Sequence, residues 1–244
     1  MAGYRVVILF IAVVLLVGIA AAETVPYRDY VLFTNGTSVV VESDGTISVS
    51  AACHKIFWDR WQSKPIRLTF NPNYPGLDST VLGVNWQIVL LNWLEPTAIG
   101  NDDSWVEWGA DGVKPGYSEY YNYDPALPGY ATLFFSDTMS KRIVSMTRVF
   151  DDPADTTKII QTHTMLNGRL PWYTGASGRC PARKYHLGRI IIHDTGHILG
   201  LGDLRQSTCS RCRMYQYVRK GQGTSRYGCK GDLLGITDIY GRAP

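Results

Sequence analysis

Two histidines four residues apart, followed at fixed distances by a glycine and an aspartate, constrain this chain more than any other feature. His193 and His197 follow a short apolar run. Residues four apart lie on one face of an α-helix, so both imidazoles can reach the same metal ion. Gly200 can adopt a positive φ and end the helix, which allows Asp203 to return as a third ligand. Two nitrogens and one carboxylate oxygen, with a fourth position left for water, are typical of a catalytic zinc site.

A pair of histidines on a solvated helix face is the simplest alternative, because short motifs also arise by chance. The wider pattern favours the metal site. The run H-D-x-x-H-x-x-G-x-x-D resembles the metzincin peptidase signature H-E-x-x-H-x-x-G-x-x-H, which is followed by a Met-turn. Residues 197–201 and 231–241 are similar to the matrixin branch of that family, and Met214 follows the helix at a distance suitable for the Met-turn.

This resemblance implies an α/β (α+β) fold with a twisted mixed sheet, an active-site helix, a Met-turn and a C-terminal helix. It also implies a secreted zinc endopeptidase that hydrolyses a protein or peptide substrate with one catalytic Zn²⁺. In the implied roles, Asp194 is the general base, Tyr217 stabilises the oxyanion, and Met214 lies under the metal. The implied zinc ligands are His193, His197 and Asp203.

The chain departs from the family pattern at two ligand-region positions. Asp203 replaces a histidine, which is a mild change because carboxylate oxygen is an ordinary zinc ligand. Asp194 replaces the general-base glutamate and is one methylene shorter, although a base must lie within about 2.6–3.2 Å of the proton or act through one water. The alternative function is therefore a catalytically impaired metzincin-like zinc protein that binds peptides or a surface partner. A disulfide-rich adhesion domain without metal is a third hypothesis.

The N-terminus predicts export. An apolar run over residues 6–22 follows a short basic start, and Ala20 to Ala22 have the small-x-small form of a signal-peptidase site. An uncleaved anchor is the alternative, because the run is nearly long enough to span a bilayer. The chain would be secreted in the first case and held on the outer face of the membrane in the second. We divide it into a signal peptide or anchor (1–22), an N-terminal β extension or propeptide (23–54) and a catalytic domain (55–244).

Charge and composition narrow the classes of partner. The chain has 24 basic and 21 acidic residues, and removal of Arg5 with the signal peptide leaves 23 against 21, or +2. That balance argues against a nucleic-acid partner. Asn35 begins an N-glycosylation motif. Four loop aspartates could bind Ca²⁺, but they lack EF-hand spacing and are explained more simply as solvated carboxylates; they are Asp102, Asp103, Asp111 and Asp124. No motif specifies an oligomeric state.

All five cysteines lie in the exported part, where oxidising surroundings favour disulfides. The sequence leaves the pairing open and one thiol unpaired. Cys209 or Cys212 paired with Cys229 would clamp the loop after the zinc helix, and Cys53 paired with Cys180 would tie the N-terminal region to the segment before that helix. Two alternatives are a zinc knuckle at the last three cysteines and a latency thiol at Cys53.

Hydrophobic periodicity predicts a strand-rich chain with one long upstream helix. The helix begins at Asp78 or Ser79 and ends before Pro96, and residues 97–129 are predicted as loops. Either the strand at 130–135 or the strand at 142–150 is expected to lie at the sheet edge and to bind an extended substrate by β-addition. The predicted strands are a hairpin at 39–42 and 46–50, and single strands at 66–70, 130–135, 142–150 and 158–165.

Overall fold

The computed structural model describes residues 25–33, 38–42, 53–57, 59–62, 64–71, 86, 89–99, 105–108, 128–175, 179–223 and 228–242. Several predictions lie outside these residues: the signal peptide, the glycosylation site at Asn35, the strand at 46–50, the start of the upstream helix and the four loop aspartates. Among the described residues, no helix is both long and apolar enough to cross a bilayer.

The described part of the chain is a mixed α/β fold built on a mixed sheet, as the sequence predicted. The strands are β1 (Tyr27–Phe33), β2 (Ser38–Glu42), β3 (Arg60–Trp61), β4 (Ile66–Asn71), β5 (Val106–Trp108), β6 (Tyr130–Ser136), β7 (Ile143–Asp152), β8 (Asp155–Asn167), β9 (Trp172–Tyr173) and β10 (Tyr185–His186). The helices are α1 (Leu187–Ile198) and α2 (Lys230–Tyr240). Trp86 and residues 89–94 are also helical, and we call them the upstream helical segment.

The main sheet has the strand order β2-β1-β7-β8-β6-β4-β5, with β3 beside β8. Strands β5, β4, β6 and β8 run parallel, whereas β7 is antiparallel to β8 and β1 is antiparallel to β7. Six consecutive residues of β6 are buried, as expected for a parallel strand that is covered on both faces. The antiparallel side of the sheet lies next to α1, which packs against β7.

The strands predicted at 66–70, 130–135, 142–150 and 158–165 are all present, and β8 is longer than its prediction. The predicted strand at 39–42 is also present, but it pairs with the upstream strand β1, from Arg28↔Glu42 to Leu32↔Ser38. The loop prediction for 97–129 is wrong at β5, which is only three residues long and adds to the parallel edge of the sheet. So short a strand gives almost no periodic signal.

Helix α1 forms because its apolar residues repeat on the face that meets the core. Ile190, Ile191 and Ile198 are all buried there. The helix ends as predicted, with Gly200 at φ +92°. A Cβ atom on Gly200 would lie only 2.3 Å from the carbonyl oxygen of Asp59, so this bend requires glycine for its backbone angle and for space.

Two disulfides fix the C-terminal part of the fold: Cys53 to Cys209 and Cys212 to Cys229. The predicted bond between Cys53 and Cys180 is wrong, and Cys180 is a free, half-buried thiol. The reason is tertiary: the Cys53 backbone lies against the first turn of α2, beside the loop of Cys209. The disulfides also exclude the zinc knuckle and the latency thiol, and they indicate an oxidising, extracellular-type environment.

We predict that Gly200→Ala destabilises the protein by about 3 kcal/mol or more, because a left-handed backbone and a steric overlap both add to the cost. Gly129→Ala is the matched control. Gly129 has φ +81°, but its added Cβ would lie 3.7 Å from the nearest heavy atom. The control should therefore lose only about 1–2 kcal/mol. Urea unfolding of both variants tests this, and equal losses would contradict the steric part of the argument.

Candidate metal centre

The structure brings the three predicted ligands to one point. Nε2 of His193 lies 3.2 Å from Nε2 of His197 and 3.2 Å from Oδ1 of Asp203. Nε2 of His197 lies 3.6 Å from the same carboxylate oxygen. Successive turns of α1 carry the two imidazoles. The bend at Gly200 then brings the carboxylate of Asp203 next to them. These three ligand atoms could hold one metal ion.

Backbone carbonyl groups orient both imidazoles. Nδ1 of His193 lies 3.0 Å from the carbonyl oxygen of Arg213, and Nδ1 of His197 lies 2.9 Å from that of Leu201. A carbonyl oxygen only accepts, so each Nδ1 carries the proton and donates it. In the neutral rings, each Nε2 then presents a lone pair toward the shared point. This is the arrangement that metal-ligating histidines commonly show.

The site is buried, so the alternative of two histidines on a solvated helix face is wrong. His193 and His197 are each 1% exposed, and Asp203 is 4% exposed. Burial lowers the pKa of His197 to about 4, which keeps this imidazole neutral. Burial also acts to lower the pKa of His193, but the hydrogen bond and the charge of Asp203 outweigh it and raise this pKa. If no metal ion is bound, the positive charge that compensates the Asp203 carboxylate is a proton on His193.

Met214, the residue of the predicted Met-turn, packs against the helix that carries the two histidines. A Cβ added to Gly196 would lie 2.1 Å from the Met214 sulfur, so the side chain packs against the helix between the two histidines. Met214 is 2% exposed. The glycine therefore permits close contact between the helix and the apolar floor of the site.

Asp232 on α2 holds the turn that contains Met214. Its carboxylate accepts hydrogen bonds from the backbone N–H groups of Arg213 at 2.7 Å and of Met214 at 3.2 Å. It also accepts from the N–H of Cys229 at 2.8 Å, as part of a capping box at the start of α2. Because the carbonyl of Arg213 orients His193, Asp232 connects α2 to a ligand through one peptide unit.

Asp194 is buried on the sheet side of α1. Its Oδ1 accepts a hydrogen bond from the Ser145 hydroxyl on β7 at 3.2 Å. Its Oδ2 is buried with no hydrogen-bond partner among the described residues. Burial raises the pKa of Asp194 to about 7. This carboxyl group can therefore exchange a proton near neutral pH. Tyr217 is half-buried and packs against Tyr215, with 5.2 Å between ring centroids.

Sequence reasoning missed Tyr30, whose ring stacks on His197 with 4.0 Å between centroids and an angle of 18°. No local motif marks it. Its burial could be inferred only from its place in a strand, where alternate residues share one face. Arg28, Tyr30 and Leu32 alternate in this way, and all three are buried. His163 and His186, which are not among the three candidate ligands, are both buried.

A cavity of about 510 Å³ lies beside the metal centre, between the upstream helical segment and α2. Trp93, Arg213, Asp232 and Leu233 are among its lining residues, whereas the three candidate ligands do not line it. The cavity therefore lies next to the turn that contains Met214, and it does not open onto the ligand atoms of His193, His197 and Asp203.

Comparisons with known proteins assign no family. No family model matches the chain, and no curated protein is significantly similar to it. The function is therefore inferred from the geometry of the site and from the sequence motif.

We predict that Asp232→Ala destabilises the protein by roughly 3 kcal/mol, because three backbone N–H groups lose a charged acceptor. Zinc affinity should also fall about 10- to 100-fold, since the orientation of His193 is loosened. Asp238→Ala on the same helix is the control, because that side chain is 46% exposed; it should change stability by no more than about 0.5 kcal/mol. Urea unfolding and zinc titration measure the two effects. Unchanged zinc affinity in the first variant would contradict the proposed link.

Proposed function

We propose that this protein is a secreted zinc-dependent endopeptidase with one catalytic zinc ion. The observation that supports it best is the convergence of two imidazole nitrogens and a carboxylate oxygen on one buried point. The likeness of the H-D-x-x-H-x-x-G-x-x-D run to the metzincin signature supports the same reaction class.

The donor set fits zinc in geometry and chemistry. Ligands about 2.0–2.1 Å from a tetrahedral zinc ion lie roughly 3.3 Å from one another. The measured separations among His193, His197 and Asp203 are 3.2, 3.2 and 3.6 Å. Nitrogen and carboxylate ligands are ordinary for this metal, and three protein ligands leave the fourth position for water or substrate.

The bound zinc ion would lower the pKa of a water molecule toward neutrality and polarise the scissile carbonyl. In our proposal, Oδ2 of Asp194 accepts the proton of the attacking water and later donates it to the leaving amine. Burial raises the pKa of this carboxyl group, which helps it to hold the proton between the two transfers. Ser145 orients the other carboxyl oxygen. Tyr217, three residues after Met214, is the proposed hydrogen-bond donor to the oxyanion.

A second candidate function is a catalytically impaired zinc protein that binds peptides. The observation that favours it is the short side chain of Asp194, which is also hydrogen-bonded to the sheet through Ser145. In this case the protein would bind zinc and peptide but would not hydrolyse the peptide. The variants below distinguish the two functions.

We predict one zinc ion per chain, bound by the three ligands. His197→Ala should weaken zinc binding by more than about 100-fold, the upper end of what a lost outer-shell partner costs. His54→Ala is the control, because this side chain is 33% exposed and its 3.7 Å contact is with Asp238. Metal analysis after dialysis and competition with a chromophoric chelator measure both. A purified wild-type chain that retains no zinc would refute the proposal and favour an adhesion domain.

We also predict chelator-sensitive cleavage of peptides that depends on Asp194. Asp194→Asn cannot accept the proton and should lower kcat by about 10²- to 10⁴-fold, while zinc stoichiometry stays at one. Asp194→Glu should keep or increase the rate. Rates of the wild type and of both variants are compared with and without a chelator. If the wild type is inactive and only the glutamate variant cleaves, the impaired binding protein is the correct function.

A further inference from the structure

The cavity between the upstream helical segment and α2 has the size of a small-molecule site. Its volume is about 510 Å³, and ligand pockets in proteins commonly measure about 300–1,000 Å³. Its floor is buried and apolar, because Trp93 and Ile236 are each 1% exposed. Its mouth is open to solvent, since the lining residue Leu233 is 46% exposed. A small ligand could therefore enter without a rearrangement of the fold.

Covalent and hydrogen bonds hold the walls of this cavity in place. Cys229, one of the lining residues, is bonded to Cys212. Asp232 accepts hydrogen bonds from three backbone N–H groups. Trp93 donates from Nε1 to the carbonyl oxygen of Ile192 at 3.0 Å. Walls that are already fixed lose little conformational freedom when a ligand binds, which favours affinity.

A guanidinium group gives the cavity its charge. Cζ of Arg213 lies 4.8 Å from the centre of the Trp93 ring, and a Cβ added to Gly228 would lie 3.4 Å from its Nε. All three residues line the cavity. Burial lowers the pKa of Arg213, although the charge of Asp232 opposes this effect. The positive charge is therefore only partly solvated, and an anion in the cavity would stabilise it.

The other charged groups of the lining leave this preference for an anion in place. Lys230 adds a positive charge at the mouth, where Glu95 is also exposed. Water screens both of these side chains more strongly than it screens the half-buried Arg213. The carboxylate of Asp232 is already the acceptor of three N–H groups. The charge that a ligand would meet inside the cavity is therefore that of the guanidinium.

We propose that this cavity binds a small amphipathic anion, namely a carboxylate attached to an aromatic or branched aliphatic body, and that its binding strengthens metal binding at His193. The planar fork of Arg213 holds the carboxylate through two parallel N–H···O bonds. The apolar body packs against Trp93, Leu233 and Ile236. The effect on metal binding rests on the proposed function, whereas the anion site does not.

Two contacts connect the lining of the cavity to His193. The backbone carbonyl of Arg213 accepts a hydrogen bond from Nδ1 of His193 at 3.0 Å. Trp93 donates to the carbonyl of Ile192, which directly precedes His193. A Cβ added to Gly196 would lie 3.3 Å from the Trp93 ring. A ligand that fixes Trp93 and Arg213 therefore fixes the orientation of one metal ligand, and by linkage a bound metal ion strengthens binding of the anion by the same factor.

The probe for the anion site is 4-phenylbutyrate, and its neutral amide, 4-phenylbutyramide, is the matched ligand control. NMR titration of the full chain follows the indole N–H of Trp93 and the backbone N–H of Leu233. Acetate, which can coordinate a metal but lacks the apolar body, should leave both signals unchanged. The indole N–H of Trp61 is the control signal, because it donates to Ile198 and Trp61 does not line this cavity.

We expect 4-phenylbutyrate to shift the signals of Trp93 and Leu233 and to leave that of Trp61 in place. The carboxylate should bind at least about tenfold more tightly than the amide, as expected for hydrogen bonds to a charged group. Equal affinity for the two ligands would overturn the anion site, as would a titration in which the Leu233 signal does not move.

Variants locate the charge that recognises the carboxylate. Arg213→Met retains the backbone carbonyl, and it should weaken 4-phenylbutyrate about tenfold without changing the affinity for the amide. Arg211→Met is the matched control, because this exposed arginine does not line the cavity. If Arg213→Met does not fold, Leu233→Glu places a negative charge at the exposed mouth and should weaken the carboxylate more than the amide. Equal losses for the two ligands in these variants would overturn the assignment.

Competition with a chromophoric chelator measures the effect on metal binding. Saturating 4-phenylbutyrate should tighten zinc binding at least about fivefold relative to acetate at the same concentration, and this gain should be absent in Arg213→Met. An unchanged zinc affinity would overturn the coupling. A chain that retains no zinc but binds 4-phenylbutyrate beside Trp93 would support the anion site and refute the zinc endopeptidase.

Discussion

The convergence of His193, His197 and Asp203 on one buried point is the constraint on which the rest of the structure depends. Two imidazole lone pairs and a carboxylate in a dry interior are costly unless a positive charge compensates them. The three side chains are nevertheless held in the interior, because each surrounding element fixes the position of one of them. The helix α1 provides the spacing, Gly200 provides the bend, and carbonyl groups fix both rings. The burial of this polar cluster is the strongest physical argument that it holds a cation.

The fold couples this centre to two distant parts of the chain. On one side, the carboxylate of Asp232 fixes the turn whose carbonyl orients His193. On the other side, Tyr30 packs against His197 from the N-terminal strand. One imidazole is thus sensitive to the position of α2, and the other to the position of β1. A change in the position of either element would reach the candidate metal centre through a different histidine.

The proximity of His193, His197 and Asp203 could be predicted from the sequence because its signal is local. Two histidines, a glycine and an aspartate within eleven residues encode a helix, a bend and a return, and backbone geometry converts that spacing into proximity. Most strands were predictable for the same reason, whereas the closing helix was expected from the resemblance of residues 231–241 to the matrixins. The partner of Cys53 and the cover by Tyr30 were not predictable. Cys53 and Cys209 are 156 positions apart, and only the packing of α2 and the sheet brings them together. Short strands such as β5 leave too few residues for a period to be read.

The bond between Cys53 and Cys209 closes a covalent ring that includes strands β3 to β10 and all of α1. On the chain-entropy model, closing a loop of this size restricts the unfolded polypeptide enough to favour the native state by roughly 5 kcal/mol. The strands β1 and β2 lie outside the ring. The scaffold that carries the ligands therefore keeps this entropic advantage whether or not its first two strands are in place.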